Sequence, residues 1–340
     1  MMSHTITRHL QALLSIPSPT GMTDAAVDYV ANALTTLDLE SERTRRGALK
    51  AVWRGTSGGP GRALCVHLDT LGAMVTGIGD NGRPRLAQIG TWAARCAEGA
   101  RVTVHRAAGE DLRGTILPAK ASGHRFGSDV DHQPSEWANL ELRLDSDGNE
   151  GIEAGDMVSV DPQPEFLDNG YLVSRHLDNK AGVAALLSAL EAMHEAGERP
   201  SADLHLLFSV TEEVGTGAAH LAGPELSEMV SLDIAVNAPD QSAHERGVTL
   251  VAMDAGGPYD RHLTARLRAL CEARQIPHAM DVFRHYFSDG RAATLAGADC
   301  PTALACFACD GSHGWERSHI DSLTALRDLC RAYATGPAAT

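Results

Sequence analysis

The residues with the greatest chemical capacity are carboxylates and imidazoles set at or just beyond apolar runs. They are His67 and Asp69 after 63–66, Asp178 in Ser174-Arg-His-Leu-Asp-Asn-Lys-Ala-Gly182, Glu212-Glu213 after 204–211, Asp233 within 230–238, and His319 near the end. In α/β proteins ligands gather in the crevice beyond the strand ends. Carboxylates and imidazoles are what Zn²⁺, Co²⁺ or Mn²⁺ take when no thiolate is offered. Three carboxylates with two histidines suit a pair of ions better than one, and the pattern points to a two-metal hydrolase.

Taken singly, each residue has a plainer reading. His67-Leu-Asp69 could be a core histidine with a nearby cap, and Asp233 an N-cap or turn residue. His319 competes with fifteen other histidines, notably His313 in the same loop. The neighbours change the balance. Asp69 lies two residues beyond His67 and so points to the same side, which suits a carboxylate that orients the imidazole and fixes its tautomer. Glu212 and Glu213, adjacent in an extended segment, point opposite ways, so one can bind metal while the other faces substrate as general base.

These positions need elements to hold them. Apolar residues at helical spacing predict helices over 6–14 and 24–37, and 51–53 and 63–67 read as strands. From about Leu71 to Pro162 the texture changes to short, alternating, glycine-punctuated segments at 73–78, 101–105, 114–116, 140–144 and 157–160, with the polar stretch 120–137 as a loop. After Pro162, strands at 172–177, 204–210, 234–237, 249–253 and 302–308 alternate with helices at 180–196, 217–229, 260–274 and 323–333. The expected architecture is α/β, a doubly wound mixed sheet built from 1–72 and 163–340, interrupted by a small all-β domain at 73–162.

Composition bounds the function. With 340 residues and 43% hydrophobic content the chain can bury a large core. A formal charge of −15 argues against nucleic acid or an anionic membrane as partner. Seven cysteines, an odd number, imply reduced thiols, and Cys306-Phe-Ala-Cys309 reads as part of a buried strand, not a zinc site. His4, Thr5, Thr7 and His9 interrupt any signal-like stretch, and no run approaches the ~18 apolar residues of a spanning helix, so the expected compartment is the cytoplasm.

His67-Leu-Asp69 followed by Gly72, Leu177-Asp178-Asn179-Lys180-Ala181-Gly182, Thr211-Glu212-Glu213-Val214-Gly215, Leu232-Asp233-Ile234 and Arg317-Ser318-His319 together resemble the M42 metallo-aminopeptidases, which include glutamyl aminopeptidases and the tetrahedral TET peptidases. The resemblance spans essentially the whole chain. It implies a zinc-peptidase-like catalytic fold of the phosphorylase/hydrolase type. It also implies two divalent ions per subunit, with Zn²⁺ first and Co²⁺ or Mn²⁺ as alternatives. Asp178 would bridge both ions, His67 and Asp233 would complete one site, and Glu213 and His319 the other. Glu212 would be the catalytic base, and Asp69 a second catalytic residue. The implied activity removes N-terminal amino acids from short peptides, and the implied assembly is a homo-oligomer, from dimer to dodecamer, built through a PDZ-like or β-barrel insertion.

The spacing of 111 positions from His67 to Asp178 places the insertion as in M42 and not as in the related M20 deacylases, whose extra domain comes later. The chain departs from the family pattern in three places. Thr70 replaces an acid, Tyr286-Phe287-Ser288-Asp289-Gly290-Arg291 stands for Gly-Gly-Thr-Asp-Ala, and Glu316-Arg317-Ser318-His319 stands for Arg-Tyr-Ile-His. These leave the substrate open, and they resemble a subgroup linked to a dipeptide osmoprotectant. A metal-dependent deacylase or amidohydrolase acting on an N-acylated amino acid or dipeptide osmolyte would use the same ions. A non-enzymatic scaffold fits poorly with five retained ligands and Glu212.

Overall fold

The computed structural model describes residues 2–148 and 151–337. Its main sheet runs in the order Ser41–Arg43, Leu49–Trp53, Leu204–Ser209, Gly61–His67, Leu226–Val236, Thr302–Cys309, Val248–Asp254 and Gly257–Pro258, with His278–Val282 pairing on Val248–Asp254. The central strands, from Leu204–Ser209 to Thr302–Cys309, are parallel, and antiparallel neighbours flank them. Gly61–His67, Leu204–Ser209 and Thr302–Cys309 are buried at every position. Strands covered on both faces read as near-continuous apolar runs, interrupted here by buried polar residues such as Arg62 and His205.

Two adjacent residues show the covering. Cys65 Sγ lies 3.5 Å from Asp289 at the start of helix Asp289–Leu295, whereas Val66 packs under Gly182 of helix Leu177–Glu195. Neighbours in a strand face opposite ways, so these helices cover opposite faces and the mixed sheet is doubly wound. Leu177–Glu195 is buried without a break from Leu177 to Leu190, wedged between the sheet and helices Met2–Leu14 and Ile320–Thr335. Gly182 permits the approach, since a Cβ there would fall 2.1 Å from Asn179 Oδ1 and 3.3 Å from Val66.

The chain between Gly72 and Val160 forms a second, six-stranded antiparallel sheet in the order Pro84–Ile89, Gly72–Ile78, Met157–Val160, Arg101–His105, Leu112–Pro118 and Leu140–Leu144. It has its own apolar cluster, including Val75, Trp92, Val102, Val104, Ile116, Leu142 and Val158. Its edges meet where Asn81 and Arg83 donate hydrogen bonds to Glu141. The polar stretch 120–137 holds two single-turn helices, Gly123–Phe126 and Asp129–His132, neither with a buried residue.

Some elements differ from expectation. The helix expected at 217–229 is a 3₁₀ turn, Gly217–His220, followed by the eleven-residue strand Leu226–Val236. Gly223-Pro224 stops a helix there, and the run from Met229 to Ala235 is buried throughout, as a central strand must be. The strand expected at 172–177 ends at Ser174 and does not join the main sheet. Tyr171–Ser174 pairs instead with Glu165–Phe166 and Glu316–His319 in a three-stranded sheet. Pro84–Ile89 and His278–Val282 are strands that the sequence reading missed. Among the described residues no helix is long and apolar enough to cross a membrane.

Gly182→Ala should destabilise the protein by about 1–3 kcal/mol, the usual cost of overpacking. Thermal melting of the purified variant checks this.

Candidate metal centre

His67 ends a buried strand, Asp233 lies on the next parallel strand, and Asp178 stands where the chain enters helix Leu177–Glu195. Asp178 and Asn179 have non-helical backbone angles, and Asn179 Nδ2 donates to Leu232 O at 2.7 Å, tying this entry to the Asp233 strand. His67 Nε2 is 3.1 Å from Asp178 Oδ1 and 3.9 Å from Asp233 Oδ1. The other Asp178 oxygen faces His313, whose Nε2 is 3.6 Å from Asp178 Oδ2 and 3.7 Å from Glu213 Oε2. The result is two groups that could each hold an ion, His67–Asp178–Asp233 and Asp178–Glu213–His313, sharing one carboxylate.

His313, not His319, stands in this cluster, which corrects the expectation for His319. Both nitrogens of His319 are engaged elsewhere. Nδ1 accepts from the Asp321 N–H and caps helix Ile320–Thr335, Nε2 donates to Asn169 O at 3.1 Å, and the ring lies edge-on to Tyr171. No lone pair remains to bind an ion. His313 is oriented in the way a ligand requires, its Nδ1 donating to Thr91 O at 2.6 Å so that Nε2 faces the carboxylates. Thr91 belongs to the 73–162 segment, which thus reaches the site through a backbone carbonyl.

His67 is fixed similarly, with Nδ1 donating to the backbone carbonyl of Asp69 at 3.0 Å. The Asp69 carboxylate, expected to orient the imidazole, lies farther away at 3.6 Å. It accepts instead from the N–H groups of Glu212 and Glu213 and from Thr20 Oγ1, and so anchors the tandem-acid turn. That turn is tight, with Gly215 at φ +80° donating to Glu212 O. The two glutamates therefore face the same cavity and do not point opposite ways. Glu212 Oε2 lies 3.9 Å from His67 Nε2 and belongs to neither group of possible ligands.

Sequence reasoning did not find Glu316. It is buried, Oε2 accepts from the Asp178 N–H at 3.0 Å and Oε1 from the His313 N–H at 3.1 Å, so one carboxylate sets both backbones. The His313-Gly-Trp-Glu316 spacing was the available signal. A cavity of about 580 Å³ opens over these acids, with residues 283–287 as part of its wall. A smaller one, about 320 Å³, lies between the two sheets beside Lys180 and has none of these acids in its lining.

The electrostatics are those of crowded negative charge. Burial pushes Glu212 and Glu213 well above the ordinary carboxylate range, with Asp178 adding to the effect on Glu213. Burial and then Asp178 raise Asp233 to about 8, and the same causes raise Glu316 to about 8. Burial would raise Asp178 too, but the imidazoles of His313 and His67 hold it below its usual range. His313 is pushed up to about 10, where its contacts with Asp178 and Glu213 overcome burial. Glu213 Oε1 is buried without a partner. Divalent cations would offset the negative charge of the two groups, and the oxygen and imidazole donors suit Zn²⁺, Co²⁺ or Mn²⁺.

A mixed α/β sheet with overlapping carboxylate–imidazole groups at its strand ends is the layout of a metallohydrolase. A profile of the M42 glutamyl aminopeptidase family matches residues 47–329. YhfE of Bacillus subtilis (strain 168), named as an aminopeptidase, is 34% identical over 335 residues, covering 96% of each chain. The chain belongs to the M42 peptidase family, and it is an enzyme of the aminopeptidase class. Its fold is similar to that of aminopeptidase APDkam598 from the archaeon Desulfurococcus kamchatkensis, with a TM-score of 0.89 at 21% identity, covering 99% of this chain and 96% of that one. It is also similar to the TET1 peptidase of Pyrococcus horikoshii, described as assembling into a tetrahedron or a large octahedral shell. There the TM-score is 0.87 at 22% identity, with 98% and 100% covered.

His313→Ala should lose one of two bound metal equivalents, whereas His319→Ala should keep both and lose about 1 kcal/mol of stability with its cap. Metal analysis and thermal melting of both variants check this.

Proposed function

We propose that the chain is a dinuclear metal-dependent aminopeptidase that releases N-terminal amino acids from short peptides. The observation that carries this reading is the Asp178 carboxylate, one oxygen turned to His67 and the other to His313, so that one carboxylate belongs to both groups of possible ligands. His67, Asp178 and Asp233 would hold one ion, and Asp178, Glu213 and His313 the other. When bound, such a pair lowers the pKa of water and polarises the scissile carbonyl. Glu212, free of ligand duty and at the cavity wall, takes the proton of the attacking water and passes it to the leaving amine. Asp69 holds Glu212 in place through its backbone N–H, and Glu316 fixes the spacing of Asp178 and His313.

The catalytic domain comprises 1–72 and 163–340, and the 73–162 unit is an inserted β domain that joins subunits. Its separate apolar cluster supports this reading, as does the assembly described for TET1. Light scattering should give a dimer or larger species, and a monomer at assay concentrations would count against it.

Glu212→Gln keeps the size and polarity of the side chain but cannot accept the proton. Its kcat should fall by about 10²–10⁴-fold with metal content unchanged. Acetylating the substrate's amino terminus should abolish turnover. Loss of metal from Glu212→Gln, or hydrolysis that requires the acetyl group, would contradict the reading.

A further inference from the structure

The segment 283–289 differs most from the family pattern, placing Tyr286 and Phe287 where that pattern has glycines. Tyr286 shares the cavity wall with Asp233. Its hydroxyl is sealed from solvent and makes no hydrogen bond of acceptable geometry. A buried hydroxyl without a partner costs about 1–3 kcal/mol, so its position needs a reason.

The segment is held firmly from behind. Phe283 N–H donates to Met253 O at 2.9 Å, and Ala255 N–H donates to Tyr286 O at 3.0 Å. The Tyr259 hydroxyl lies 2.6 Å from Ser288 Oγ and donates to Asp254 at 2.6 Å. The Tyr286 ring packs against Phe283 with centroids 5.4 Å apart and against the small apolar cluster that includes Cys306. The phenol is therefore delivered to a fixed point. Burial pushes the phenol well above its usual range, with Asp233 the next cause, ahead of Cys306, Asp178 and Glu212. On Asp233, the Oδ1 atom accepts the Ile234 N–H at 2.7 Å and is the oxygen nearer His67.

We propose that Tyr286 is a positioning residue for Asp233, its hydroxyl donating a hydrogen bond to the Asp233 carboxylate when that carboxylate binds an ion, and that it thereby sets the affinity of the His67–Asp178–Asp233 site alone. This rests on the dinuclear reading above. A ligating carboxylate that is itself hydrogen-bonded is held at one angle to its ion, and removing such a partner typically costs 10–100-fold in metal affinity. At the second group His313 is oriented by the Thr91 carbonyl and Glu213 is anchored through its backbone N–H by Asp69, and neither contact involves the phenol. Cys306, the other polar group near the hydroxyl, faces Asp233 across the ladder and is a weak acceptor by comparison.

Tyr286→Phe removes the donor and keeps the ring. Chelator competition with Zn²⁺ and with Co²⁺ on the full-length protein, supported by the visible spectrum of the Co²⁺ form, reads the two affinities separately. One equivalent should weaken by about 10–100-fold and its Co²⁺ bands should change, while the other equivalent and the melting temperature stay at wild-type values. Cys306→Ala should leave both affinities unchanged. Two wild-type affinities in Tyr286→Phe overturn the proposal, and so does a joint fall of both with a lowered melting temperature. A wild-type protein that binds fewer than two equivalents sinks the dinuclear reading itself and this inference with it.

Discussion

Asp178 and the acids around it cannot be buried together without opposing charge. Asp178, Glu213 and Asp233 are almost fully buried, Glu212 borders them, and the imidazoles of His67 and His313 face them. Carboxylates at such separations in a dry site cost several kcal/mol unless cations intervene. The fold tolerates the crowding by aiming each oxygen. Asp178 divides its oxygens between the two imidazoles, and backbone N–H groups stabilise Asp233, Asp69 and Glu316. Every other feature of the site serves this arrangement.

The arrangement draws on parts of the chain far apart in sequence. Parallel strands bring His67 and Asp233 side by side, and the helix entry supplies Asp178. The small sheet pairs Ser174 with Glu316, which places the Glu316 carboxylate under both Asp178 and His313. The six-stranded unit reaches in with Thr91 O, and His176 donates to Val160 O across the same junction. A domain whose proposed duty is assembly thus also orients a residue of the site. Docking of that unit and the orientation of His313 are therefore linked.

Sequence reading caught residues whose placement follows from local pattern. His67 and Asp233 sit in apolar runs that become core strands, and the Leu177–Gly182 and Thr211–Gly215 motifs fixed Asp178 and the tandem acids. It failed where long-range pairing decides. His319 and His313 are six residues apart in one loop, and only the pairing of Tyr171 with His319 shows that the later one is drawn away to cap a helix. Thr91 acts through its carbonyl, which side-chain identity cannot reveal. Asp69 looked like the partner of an imidazole and proved to hold a turn. The segment 217–229 carried helical spacing, but Gly223-Pro224 and burial on both faces made its second half a strand.

The most direct test of the account is metal binding by Asp178→Asn. An amide has one oxygen to offer where the shared carboxylate offers two, and it carries no charge to balance two cations. Metal analysis after dialysis against trace Zn²⁺ should find two equivalents on the wild type and neither retained tightly by the variant. Two equivalents still bound to Asp178→Asn would contradict the shared-carboxylate centre on which the account stands.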